Sequence, residues 1–447
     1  MQSTHDKEQP RALLVSIRTP RDTETDADES LAELERLVTT LGYRVIATQS
    51  QRQPSTTRLN VVGEGKLKEL ARFTGGKGFV ERFSKKSAEE EEPEEIAETA
   101  VVDVPPELAT VVVFDCDLSP SQLRNLESAL GVEVLDRTGV IIEIFSRHAR
   151  SRAARLQVEI ARLKYLSPRL RETGVSKERQ AGRGAGESAL ELDRRKIRDR
   201  LAELKHELES VQQEQGHRRA QRAEQMCVAL VGYTNAGKSS TMRALTGSEV
   251  LVEDKLFATL DTTVRALQPE TQPRILISDT VGFIKKLPHD LVASFRSTLD
   301  EARNASLLLY VVDAADPTFR SQLEVVNDVL REVGVEDTPH LLLLNKSDRL
   351  NEEQKQSLRN EFPDAMLLST RRPEDIQTLR ERILQFAESG MIEEELFVPY
   401  TAKGIVGEIR STMRVVHESF EADGIRLRVR SKAVDLGRVK KMLQSEQ

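Results

Sequence analysis

The pattern of apolar and polar positions divides the chain into four regions. In the first, residues 1–145, short apolar runs alternate with amphipathic ones. "RALLVSI" and "YRVIATQ" read as strands. Between them "SLAELERLVTTLG" repeats its apolar residues at helical spacing and ends on glycine, which readily takes the left-handed turn that closes a helix. "TVVVFD" and "GVIIEIF" read as two further buried strands flanking the helix "SPSQLRNLESALG". The alternation predicts a small α/β layer. It is interrupted at about 84–107 by "SKKSAEEEEPEEIAETAVVDVPPE", whose acidic charge and scarce large apolars mark a solvated insertion.

Strands vanish in the second region, 146–225. Ala153, Leu156, Ile160 and Leu163 recur at helical spacing, and Leu190, Ile197, Leu201, Leu204, Leu208 and Val211 follow a heptad rhythm. Two matching stripes with one connection predict an antiparallel helical hairpin. The connection "SPRLRETGVSKERQAGRGAGE" carries Arg169, Arg171, Lys177, Arg179 and Arg183 among glycines. It is either a flexible solvated loop or a phosphate-seeking finger that moulds to an RNA backbone.

In the third region, 226–390, "CVALV", "RILISD", "SLLLYVVDA", "HLLLLNK" and "AMLLST" read as buried strands between helices. They predict a mostly parallel sheet with crossover helices. The fourth, 391–447, reads as strand, helix, strand, helix, a small appended α/β unit.

Composition narrows the functional classes. The chain has 447 residues, no Trp and 4% aromatics, which argues against a stacking platform for single-stranded nucleic acid. Its net charge of -7 conceals strong segregation of acidic and basic segments. Cys116 and Cys227 lie in apolar runs without partners at metal-ligand spacing, as expected of core residues in a reducing compartment. No run approaches the ~18 apolar residues needed to span a bilayer, so a cytoplasmic location is expected.

The chemistry concentrates where the third region begins. "GYTNAGKS" follows an apolar strand and opens a helix, placing Gly232, Gly237, Lys238 and Ser239 at GxxxxGK[ST] spacing. Glycines let the loop turn tightly with its amides inward, and the helix N-terminus adds positive potential for a phosphate chain. Lys238 reaches β- and γ-phosphates, and the Ser239 hydroxyl suits Mg²⁺. "ILISDTVGF" sets Asp279 at a strand end, where it holds the metal's water shell, and Gly282 three residues on, where its amide senses the γ-phosphate. Between the two motifs, "KLFATLDTTVRAL" is a polar stretch suited to closing over the metal.

Base choice is carried by "HLLLLNKSDRL", which delivers Asn345, Lys346 and Asp348 at a strand end. Guanine presents two neighbouring donors that one carboxylate accepts together. Adenine offers a lone pair there, which Asp348 would repel. Asn345 suits the far edge of the base, and the Lys346 stem suits its ring face.

Taken together, "LSPSQLRNLE", "DRTGVIIEIFSRHARSRAARLQVEIARLKY", "LELDRRKIRDRL", "GYTNAGKS", "FATLD", "DTVGF" and "NKSD" make the chain resemble the HflX family within the translation-factor class of P-loop GTPases. The resemblance implies an N-terminal α/β domain, a helical hairpin and a G domain. It also implies GTP hydrolysis, binding of GTP and GDP, association with the large ribosomal subunit and its rRNA, and splitting or rescue of stalled ribosomes. It makes Thr259 the switch threonine on Mg²⁺, beside Ser239 and with Asp279 acting through water. Lys238, Thr259 and Gly282 are the expected catalytic positions. Tyr233, Thr234, Asn235, Ala236 and Ser240 extend the phosphate loop. Phe257, Ala258, Leu260 and Asp261 flank Thr259; Thr280 and Val281 complete the second motif, and Ser347 the third. Ser369 and Thr370 supply a further guanine contact.

Departures from the family pattern are visible. The glycine run before "LELDRR" is short, Thr262 stands where proline usually follows "FATLD", and Arg371 follows "LLST". Phe283 occupies the position where many GTPases carry a water-orienting Gln, which predicts slow intrinsic turnover that a partner accelerates. Asn235 either offers an oxygen to a monovalent cation such as K⁺ or makes a loop-stabilising hydrogen bond. Basic stretches "RSRAARLQ", "DRRKIRDR" and "HRRAQR" are rRNA-contact candidates on what is expected to be a monomer. Two other classes compete: an ATP-driven remodeller, and an RNA-binding protein for which nucleotide is only a ligand.

Overall fold

Strand β1 (Arg11–Arg18) is paired in parallel on both sides, with β2 (Arg44–Arg52) and β3 (Val111–Phe114); β4 (Glu133–Asp136) extends the sheet, giving the order β2-β1-β3-β4. Leu13, Leu14, Val112, Val113 and Phe114 are fully buried, which explains the continuous apolar runs of the two central strands. This computed structural model describes residues 9–20, 23–56, 61–80, 107–173, 189–222, 225–247, 256–257, 263–286, 296–335, 337–402 and 404–445. Residues 84–106 of the acidic insertion, 174–188 of the hairpin connection and 258–262 lie outside them. The chain forms two compact units, residues 1–147 with 156–206, and residues 148–155 with 207–447.

Helix α1 (Glu24–Thr40) starts before the apolar run that predicts it, because Thr23 accepts the Asp26 N–H and caps it. Gly42, at φ +85°, closes its far end. Helix α2 (Glu64–Thr74) follows, and α3 (Pro120–Leu130) carries a capping box between Ser119 and Gln122.

"GVIIEIF" is not a strand. It lies inside helix α4 (Arg137–His148). The strand is the four residues before it, "EVLD", and the Asp136 carboxylate accepts the Gly139 N–H at 2.7 Å, satisfying a first-turn donor. Val140, Ile141, Ile142, Ile144 and Phe145 are all buried, so within the run only the half-exposed Glu143 breaks the apolar sequence, too little to reveal its period.

Helix α5 (Arg152–Thr173) runs past the expected break at Ser167 and contains Pro168. Proline costs a hydrogen bond there. Anchorage on either side of it holds the turn: Tyr165 Oη donates to Asp136 at 2.5 Å, and Arg169 donates to the same carboxylate at 2.7 Å. Burial and the neighbouring Asp136 push the Tyr165 phenol well above its ordinary range. Helix α6 spans Ala189–Arg222. Ala153, Leu156, Ile160 and Leu204 of the two stripes are buried, while Leu163, Ile197, Leu201, Leu208 and Val211 are half-buried. Arg152 pairs with Glu207 at 3.3 Å.

The six-stranded sheet has the order β10-β9-β8-β5-β7-β6. Its chain sequence is β5 (Met226–Gly232), α7 (Lys238–Thr246), β6 (Thr263–Ala266), β7 (Ile275–Asp279), α8 (Arg296–Arg303), β8 (Leu307–Asp313), α9 (Phe319–Val333), β9 (His340–Asn345), α10 (Glu352–Glu361), β10 (Met366–Leu367) and α11 (Pro373–Ser389). All five expected strands are present and parallel. The sixth, β6, pairs antiparallel with β7 inside the stretch read as purely polar; being a short, half-exposed edge, it left no apolar run. Because β5 is flanked by β7 and β8, connections leave it in opposite directions, and a crevice opens at its carboxyl end.

The last segment departs from the expected strand, helix, strand, helix. It is β11 (Ile392–Pro399), α12 (Ile405–Thr412), β12 (Arg414–Phe420), β13 (Gly424–Ser431) and α13 (Ala433–Ser445), with an antiparallel sheet in the order β11-β13-β12. The extra strand was hidden because an irregularity between Val415 and His417 breaks the alternation of β12. Among the described residues no helix is long and apolar enough to cross a membrane.

Candidate functional site

The loop after β5 is shaped by close approach. Gly232 sits at φ +150°, and a Cβ there would run into the Val311 carbonyl of β8. Gly237, at φ +101°, would drive one into the Asn345 amide. Asn235 also takes a left-handed conformation, at φ +59°. Only a chain with glycine at both ends of this turn can hold the loop between the two strands.

Within the loop, the Lys238 ammonium is 6% exposed and donates to the carbonyls of Gly232, at 3.0 Å, and Tyr233, at 2.7 Å. Burial lowers its pKa to about 8, opposed by the nearby Asp279 carboxylate. A buried cation at a helix N-terminus is well suited to a polyanion. Buried Thr234 Oγ1 has no hydrogen-bond partner among the described residues and faces the same use.

Ser239 Oγ donates to Asp279 Oδ2 at 2.8 Å, and Asp279 is fully buried at the end of β7. A hydroxyl and a carboxylate held together form an all-oxygen donor set that fits a hard divalent cation such as Mg²⁺. Thr280 anchors the turn through Leu230 O at 2.7 Å, and the backbones of Phe283, Thr234 and Gly232 hydrogen-bond to each other. Tyr233 Oη accepts the Lys285 N–H at 2.6 Å. Gly282 is also sterically required, since a Cβ there would lie 2.8 Å from Thr234 Cγ2 and 3.0 Å from Lys238 Nζ. Val281 and Phe283 are buried, and the Phe283 ring offers no polar group.

The third cluster is wired to the first. Asn345 Nδ2 donates to Ala236 O at 2.9 Å, so the asparagine braces the phosphate loop. Its buried Oδ1 is without a hydrogen-bond partner among the described residues. Lys346, at φ +61°, donates to Asn235 O at 2.8 Å and pairs with Asp313 at 2.7 Å. Asp348 Oδ1 accepts Ser369 Oγ at 2.6 Å, and Arg371 lies 3.5 Å from Oδ2. Ser369 is in turn held by its N–H to Asp375, at 2.7 Å. The hydrogen bond from Ser369 foremost, with smaller help from Arg371 and Arg349, holds the Asp348 carboxyl below its usual range. It is therefore a pure acceptor at neutral pH.

The sequence-identified residues from Gly232 to Ser239 thus meet Asp279–Gly282, Asn345–Asp348 and Ser369. Ser240 continues the first turn of α7, Ser347 is buried with its N–H on Leu368 O, and Thr370 is half-buried beside Ser369. Phe257 is buried at φ +58°. Ala258, Thr259, Leu260 and Asp261 lie outside the described residues. Asp313 and Asp375 escaped sequence reading. Asp313 ends a recognised strand and had a signal to find; Asp375 had none beyond its place in a helix's first turn.

With the phosphate loop on the sheet's switch strand, the class is decided by residues 227–346, which match the family model described as "50S ribosome-binding GTPase": this is a P-loop GTPase. Residues 148–222 match the model for a GTP-binding GTPase middle region, and 88–146 its N-terminal counterpart. GTPase HflX of Gluconacetobacter diazotrophicus is 57% identical over 440 residues, covering 97% of this chain and 98% of that protein. GTPase HflX of Escherichia coli K12 is 36% identical over 440 residues, covering 96% and 95%. The chain belongs to the HflX family of GTPases. It is also similar to a solved GTP-binding protein of Sulfolobus solfataricus in complex with GDP, at 24% identity and TM-score 0.44, covering 85% of this chain and 99% of that one.

Proposed function

We propose that this GTPase is a nucleotide-controlled switch that acts on the large ribosomal subunit in the cytoplasm and splits or rescues stalled ribosomes. The observation that supports guanine-nucleotide binding is the ionised Asp348, held by Ser369 next to Asn345 and Lys346, which contact the phosphate loop. Base recognition and phosphate binding share one rigid element, so the site reads the whole nucleotide. The ribosomal role is supported by the family and by the description of the model matched at 227–346.

The reaction is GTP plus water to GDP plus phosphate. Lys238 and the amides of the loop bind the phosphates, Ser239 and Thr259 would hold Mg²⁺ with Asp279 acting through its water, and the Gly282 amide meets the γ-phosphate. When bound, Mg²⁺ would offset the negative charge of the phosphate chain. Phe283 cannot orient the attacking water, so basal turnover is slow and the ribosome supplies or orders the missing group.

GTP turnover with and without purified large subunits tests this. Stimulation is expected. A flat response removes the ribosomal half of the reading and leaves the GTPase standing.

A further inference from the structure

Arg371 sits in the turn between β10 and α11, and its backbone is pinned. Its own N–H donates to Ser369 Oγ at 3.3 Å, and the next N–H, of Arg372, donates to Ser369 O at 2.9 Å. The side chain is 76% exposed, yet it turns back so that Nη1 lies 3.5 Å from Asp348 Oδ2. Asp348 Oδ1 is already engaged by Ser369. The oxygen facing Arg371 is thus not the one that Ser369 holds.

Guanine's recognition edge is a ring N–H and an exocyclic amine on one carbon. That edge is a guanidine, the same donor pair that an arginine head presents. We propose that Arg371 is a built-in competitor of the base: its guanidinium stands in for the guanine edge at Asp348, and an arriving nucleotide displaces it. The inference rests on the reading that Asp348 takes guanine. Arg371 also lines a cavity of about 320 Å³ with Ala244, Gln268, Thr370 and Gln377, which gives the displaced side chain room. Competition of this kind stabilises the free state, so binding must first break the contact, and leaves the bound state untouched.

The test is stopped-flow binding of fluorescent GDP and GTP to the full chain. Arg371→Ala is expected to raise the association rate about 2- to 5-fold, the scale of an exposed ion pair, with dissociation unchanged. Arg371→Gln keeps the bulk and loses the charge, and is expected to behave likewise. Asp348→Asn is expected to exchange guanine for xanthine nucleotides, and in that background Arg371→Ala should change nothing when fluorescent XDP is the probe. Unchanged or slower association, a changed dissociation rate, or an equal gain in both backgrounds overturns the proposal while Asp348 keeps its role. An Asp348→Asn chain that still prefers guanine overturns that role and the proposal with it.

Discussion

Ser239 and Asp279 hold each other, the hydroxyl donating to the buried carboxylate at 2.8 Å across the gap between α7 and the end of β7. The pair arrives from two separate stretches of sequence and brings a hydroxyl and a carboxylate together. Asp279→Asn keeps the shape and removes the charge. Acting through the metal's water, it is expected to raise the Mg²⁺ concentration needed for GTP binding by about 10- to 100-fold. Titrating Mg²⁺ against GTP affinity, with metal-free GDP binding as the reference, checks it; an unchanged Mg²⁺ requirement removes Asp279 from the metal site.

Gly282 is packed so closely that one added methyl must move Thr234 or the Lys238 ammonium. Gly282→Ala is therefore expected to keep GDP but lose roughly 100-fold in single-turnover GTP cleavage, the usual penalty for misplacing catalytic groups by about 1 Å. Equal losses of GDP affinity and cleavage would show that the glycine serves the loop alone.

The buried Lys238, with its pKa near 8, gives the nucleotide-free chain a distinctive pH dependence. Unfolding returns this lysine to the ordinary value of about 10.4, so between about pH 8 and 10.4 the unfolded state binds more protons. Stability must rise with pH across that window, by up to about 1.4 kcal/mol per unit. Below pH 8 both states are charged and the contribution is flat. Urea unfolding of the wild type and Lys238→Met from pH 7 to 10 isolates the effect, because only the wild type should gain. Parallel profiles would place the lysine in solvent.

How much of this could be read in advance depends on whether each contact is local. Gly232, Asp279 and Asn345 stand at the ends of buried strands, where an apolar run stops, and Lys238 opens the helix after the first of them. Asp348 was found by spacing and chain order, whereas its serine brace, a whole helix and strand away, came only from the family resemblance. Arg371 was noticed only as a departure; its reach back to Asp348 is a property of the turn that pins its backbone. The α4 segment failed for a plainer reason: a single Glu143 in an otherwise buried apolar run is too little to show the period, and the cue that remained, Asp136 as a cap, precedes a run of β-branched residues that reads as strand. Strand β12 was hidden the same way by its irregularity.

Asp136 ties the end of strand β4 to the first turn of α4 and to the last turns of α5. It is 1% exposed and takes hydrogen bonds from Gly139, Tyr165 and Arg169, whose head also lies 3.2 Å from the centre of the Tyr165 ring. Removing the Arg169 charge leaves a buried carboxylate with only neutral donors, the phenol and the Gly139 and Leu118 N–H groups, and breaking such a pair costs about 3–5 kcal/mol. Arg169→Met keeps the stem's packing, so its loss reports the ion pair. The proline one residue earlier sharpens the outcome: without the anchor, nothing compensates the hydrogen bond that Pro168 deletes, and the helix should end near Ser167. Hydrogen exchange of residues 169–173 in Arg169→Met, read beside urea unfolding, should show early opening of that turn together with the stability loss. Full protection at Leu170 and Arg171 would mean that the helix is held past its proline by something other than Asp136.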